Sequence, residues 1–191
     1  MSGRKIKREY ENPIDNLIID TTDALNPIFY TLNFTPNILT TISLILGLLS
    51  SLFIYNKYYS SGGILFFISY MFDCYDGNYA RTYNMASDFG DLYDHIGDVI
   101  KFSVFIYVFL KIKHISLKGI LIILILLGFL MLWHLGCQEL NYKINKNSNK
   151  SVLNKFEVLC YKKEHIKYSR YFGCGTFAFF ISIYIIFIRI L

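Results

Sequence analysis

The chain has 191 residues, of which 54% are hydrophobic and 17% charged, with a formal net charge of +5. A soluble domain carries about 25% charged residues, so a water-soluble globule is a poor fit and a membrane protein a good one. A run such as "GILIILILLGFLMLWHLG" has no charged face at all, which excludes an amphipathic surface helix there.

The first thirty residues lack an uninterrupted apolar core, and their acids and prolines do not suit a cleaved signal peptide. Within 14–29, Ile14, Leu17, Ile18, Leu25 and Ile28 fall at helical spacing, which predicts a short amphipathic helix along the interface. A polar tail is the alternative. Beyond it, apolar runs that suit a hydrocarbon core of about 30 Å occur at 38–55, 62–82, 94–112, 116–137 and 171–191. The expected fold is therefore all-α: a polytopic membrane helical bundle with five transmembrane helices and an N-terminal interfacial amphipathic helix. The domain reading is a cytosolic or interfacial segment, 1–34, followed by a transmembrane domain, 35–191.

Lysine and arginine set the orientation. Arg4, Lys5, Lys7 and Arg8, then Arg81, then the basic stretch from Lys143 to Arg170 all fall on one side of a five-span bundle. The positive-inside rule makes that side cytosolic. Cys74, Cys137, Cys160 and Cys174 show no spacing typical of a zinc site or redox motif. His134, beside Trp133 in the fourth span, is expected to make an interhelical hydrogen bond.

The second and third spans are unusual because they carry acids. An ionisable group at membrane depth costs at least ~2.5 kcal/mol, so such groups face a cavity or a partner and mark function. At about 100° per residue, Asp73, Asp76, Gly77, Ala80 and Arg81 share an arc of roughly 140° on one helix, and Asp91, Asp94, His95 and Asp98 share another. Arg81 and His95 cannot neutralise all these carboxylates, which leaves a bound cation as the simplest counterpart. Oxygen-only ligation favours a hard ion, Mg²⁺ or Mn²⁺. Two ions about 3.5 to 4 Å apart would serve phosphoryl chemistry. Gly77 and Ala80 leave room on the acidic face, and Arg81 is suited to a phosphate. The polar stretch "TYNMASDF", with Asn84 and Ser87, breaks the two helices so that their acids oppose. A second reading, a cation carrier or channel, would use the same acids as an ion path.

Written as a pattern, Asp73, Asp76, Gly77, Ala80, Arg81, Gly90, Asp94 and Asp98 give D-x2-D-G-x2-A-R-x8-G-x3-D-x3-D. This resembles, without gap or substitution, the defining motif of the CDP-alcohol phosphatidyltransferase family, and "TPNILT" at 35–40 is similar to the way members enter their first span. The resemblance implies a transferase of phospholipid biosynthesis that moves a substituted phosphate from a CDP-alcohol to a hydroxyl acceptor with release of CMP. The donor is CDP-diacylglycerol, CDP-choline or CDP-ethanolamine. It implies Asp73, Asp76, Asp94 and Asp98 as ligands of two Mg²⁺ or Mn²⁺ ions, Asp98 also as general base, and Asn37, Thr40, Gly77, Arg81 and Ser87 as contacts to the CDP moiety. "GDLYDHIGD" is similar to choline and ethanolamine phosphotransferases, which adds Asp91 and His95 as a base pair on one helical face. The partners implied are the CDP-alcohol, a lipid or small-alcohol acceptor, the bilayer and a second copy of the chain, with no nucleic acid. Members usually have six spans, so "SVLNKFEVLCYKKEHIKYSR" either hides a distorted sixth helix or marks a reduced C-terminal part.

Overall fold

A computed structural model describes residues 3–111, 117–146 and 152–188. The described residues are helical and contain no strand: α1 (Pro13–Thr31), α2 (Pro36–Tyr55), α3 (Tyr59–Thr82), α4 (Asp88–Leu110), α5 (Leu117–Lys146), α6 (Ile166–Ser169) and α7 (Cys174–Phe187). Helices lie over each of the five apolar runs, the last of them, α7, with 14 residues. The α2 helix and the run Lys163–Phe187 are long and apolar enough to cross a membrane. The stretch read as either a distorted sixth helix or a reduced C-terminal part has 3₁₀ turns at Val152–Leu159, Lys163–His165 and Arg170–Phe172 around the short α6. Residue 151 lies outside the described residues.

Two compact units make up the chain. The first comprises Met1–Gly3, Ile18–His114 and Ala178–Leu191, with α2 packed along α3 and α4. Thr35 caps α2 by accepting the Ile38 N–H, with Pro36 in the first turn, where a missing N–H costs nothing. Small residues let α2 and α3 approach closely: Ser50 Oγ donates to the Gly62 carbonyl at 2.7 Å, and Ser69 Oγ to the Ser43 carbonyl at 2.8 Å. Where α7 enters this unit, a Cβ at Gly63 would stand only 2.7 Å from the Ser182 carbonyl, so α3 meets α7 backbone to backbone.

The part of α1 in this unit, from Ile18 on, turns polar side chains toward α3. Ile18, Thr22 and Asn26 are buried, and Ile28 is 54% exposed. The inward face is polar because α3 offers it polar partners: Asn26 Nδ2 donates to Asn78 Oδ1 at 3.0 Å, and the Thr21 hydroxyl meets the Tyr75 hydroxyl at 3.0 Å. Periodicity located the helix, and the polar side chains it turns toward α3 are set by the partners there.

The second unit comprises Arg4–Leu17 and Ile115–Phe177. Ile6, Cys137, Cys160 and Ile166 form its core, covered by Tyr10, Trp133 and Leu140. Cys137 and Cys160 are joined in a disulfide, a pairing that their spacing did not reveal. His134 makes its expected bond, Nδ1 to Ser169 Oγ at 3.1 Å. Lys5 pairs with the buried Glu139, Gln138 Nε2 donates to Glu11 at 2.7 Å, and Asn12 Nδ2 donates to Thr176 at 2.8 Å.

Candidate active site

The acidic end of α3 and the first half of α4 belong to the first unit. Between them lies a short turn in which Asn84 takes a left-handed conformation, φ 55°, which asparagine tolerates better than most residues. Ser87 then caps α4, its Oγ accepting the Gly90 N–H at 3.0 Å. The two acidic faces expected from helical periodicity thus sit on real helices joined by a tight turn.

Asp73, Asp94 and Asp98 each place a carboxylate oxygen so that the three atoms lie within 4.8 Å of one another. Like charges this close need a positive partner. Asp94 Oδ1 is buried with no hydrogen-bond partner, which is costly unless a ligand completes it. Three convergent carboxylates, one of which has an orphaned oxygen, fit a hard divalent cation.

Asp76 stands apart from that group. It is 5% exposed, and the Thr40 hydroxyl donates to its Oδ2 at 2.5 Å. Thr40 therefore spends its proton on a carboxylate of α3, tying α2 to the acidic face. Asn37 lies by the start of α4, its Oδ1 3.3 Å from where a Cβ on Gly90 would be. A Cβ on Gly77 would stand 3.1 Å from Arg81 Nη1, so the absence of a side chain there gives the guanidinium room to lie back over the helix. Arg81 Nε donates to the Gly3 carbonyl at 2.6 Å. Ser87 is exposed at the cap.

His95 meets Asp91 in a way that its spacing did not specify. Its Nδ1 lies 2.5 Å from the backbone carbonyl of Asp91 and 3.8 Å from the carboxylate. A carbonyl only accepts, so Nδ1 carries a proton toward it, which leaves Nε2 as the nitrogen that can face the acceptor.

One residue at the site was not anticipated. The Lys101 ammonium lies 2.5 Å from Asp73 Oδ1 and 2.9 Å from Asp98 Oδ1. It falls three residues after Asp98 on α4, hence on the same face, and a lysine at that spacing inside an apolar span was the available signal.

Residues 33–190, most of the chain, match the CDP-alcohol phosphatidyltransferase family. The chain belongs to this family. No curated protein and no solved structure matches it. Membership in the CDP-alcohol phosphatidyltransferase family accounts for the spacing of its aspartates: phosphatidyl transfer in phospholipid synthesis calls for an acidic centre of this kind.

Proposed function

We propose that this chain transfers the substituted phosphate of a CDP-alcohol to a hydroxyl acceptor, releasing CMP, with a hard divalent cation held by Asp73, Asp94 and Asp98. The convergence of those three carboxylates within 4.8 Å carries the reading. Asp76, steadied by Thr40, is assigned as a further ligand. When bound, Mg²⁺ or Mn²⁺ supplies the positive charge that stabilises the pyrophosphate as CMP departs.

The chain's own groups do the rest. Arg81 binds a phosphate oxygen with charge-assisted hydrogen bonds. Gly77, Asn37, Thr40 and Ser87 line the approach of the nucleotide, Gly77 by leaving a side chain out. The acceptor hydroxyl gives its proton to Asp98, with His95 Nε2 as the neighbouring base that the Asp91 carbonyl orients. The acceptor oxygen then forms its bond to phosphorus as the bond from phosphorus to the CMP oxygen breaks. Residues 35–191 form the catalytic domain, multi-pass with the site facing the cytosol, and 1–34 lie on that side of the bilayer. An ion path is disfavoured, since the Lys101 ammonium already sits among the acids that a permeating cation would use.

The test is CMP release by the full chain in bilayers, supplied in turn with CDP-diacylglycerol, CDP-choline and CDP-ethanolamine across a panel of acceptors, with and without Mg²⁺ or Mn²⁺. Metal-dependent release from one donor is expected. No release from any donor by folded protein would overturn the proposal.

A further inference from the structure

Lys101 is a cation that the family motif does not specify, and it is held by a built site. Its ammonium lies 2.5 Å from Asp73 Oδ1, 2.9 Å from Asp98 Oδ1 and 2.8 Å from Ser43 Oγ. An ammonium has three N–H donors and no acceptor, so these partners satisfy it completely. The aliphatic stem has a slot of its own. A Cβ on Gly47 would stand 3.0 Å from Lys101 Cγ, from Lys101 Cδ and from Ser69 Oγ, so α2 leaves the side chain out where the lysine passes. Ser43, one helical turn before Gly47, donates to the Ser69 carbonyl at 3.0 Å, and Ser69 Oγ donates back to the Ser43 carbonyl at 2.8 Å. That reciprocal pair fixes the wall against which the lysine lies. Only 12% of its side chain is exposed.

A two-ion centre shares carboxylates between cations about 3.5 to 4 Å apart. Here Asp73 and Asp98 already share a cation, and it is part of the chain. The remaining opening is at Asp94, whose Oδ1 is buried and unpartnered. We infer that Lys101 occupies the second cation seat of this centre, so that the protein takes one divalent ion where the resemblance alone implies two. The inference rests on the metal-dependent reading above and specifies its stoichiometry. Lys101 and one divalent ion supply three positive charges against the carboxylates of Asp73, Asp76, Asp94 and Asp98. Lys101 is thus a positioning residue that spans Asp73 on α3 and Asp98 on α4, rather than a group that touches the reacting atoms.

The experiment counts ions without reference to turnover. MnCl₂ is titrated into the full chain in lipid nanodiscs, and free Mn²⁺ is read by electron paramagnetic resonance. Wild type is expected to saturate at one Mn²⁺ per chain, Lys101→Arg at one, and Lys101→Met, which keeps the stem and removes the charge, at two. Two ions bound by folded wild type would overturn the inference and leave the metal-dependent transferase standing. A Lys101→Met variant that still takes one ion, with unchanged affinity, would also overturn it. No Mn²⁺ bound by folded wild type would remove both. If Lys101→Met does not fold, the wild-type stoichiometry still decides.

Discussion

Two polar clusters sit in this apolar chain, and they are assembled on opposite principles. In the second unit Lys5 meets Glu139, Gln138 meets Glu11, Asn12 meets Thr176 and His134 meets Ser169, each polar group facing a neutral or opposite partner, with Cys137 bound to Cys160 in the core beside them. In the first unit Asp73, Asp94 and Asp98 converge on one another, and Lys101 is their only cation among the ion pairs of the described residues. Matched groups of the first kind hold a fold together. An excess of one charge that the fold keeps in place is a cost that a bound cation offsets.

That contrast can be broken from either side. The largest effect is expected at the unmatched cluster. Asp98→Asn should lower kcat for CMP release by about 10²- to 10⁴-fold, the usual contribution of a general base, while thermal unfolding of the protein in bilayers barely moves. A large fall in melting temperature with activity per folded molecule preserved would put Asp98 among the structural groups.

The matched cluster should answer in the opposite way. Cys137 and Cys160 are 23 residues apart, and closing a loop of that size stabilises by about 3 kcal/mol in the chain-entropy account. Replacing both cysteines by serine should lower the melting temperature and leave CMP release per folded molecule unchanged. A selective loss of turnover would show that the second unit takes part in the chemistry.

Thr40→Val tests the boundary between the two kinds. It removes the donor to Asp76 and leaves a buried carboxylate short of one hydrogen bond, which costs about 1 to 3 kcal/mol. Stability measured by denaturation should fall by that amount, and a smaller drop in turnover should follow as Asp76 loses its orientation. Loss of turnover with stability intact would make the Thr40 hydroxyl a substrate contact first and a strut second.

Much of the site was legible because its information is local. Two acids three apart, a glycine next to the second, an arginine four residues further on and two acids four apart are statements about helical faces, and a helix of known pitch turns spacing into direction. The helices over the five apolar runs were legible for a similar reason, since length and apolarity are properties of a segment alone. What escaped was relational. Lys101 stands outside the motif, and its meaning depends on Ser43 and Gly47 of another helix. The burial of Thr22 and Asn26 on α1 likewise depends on what another helix offers, Asn78 of α3 for the latter. The bond between Cys137 and Cys160 needs the chain to turn back on itself before the two sulfurs can meet.

By itself, then, the order of residues determined the helices, the two acidic faces and the family, because each follows from spacing along one segment. Only the tertiary structure decided which oxygens converge, that Thr40 holds Asp76, and that an ammonium already stands between Asp73 and Asp98. Those are distances between segments far apart in sequence, and packing alone sets them.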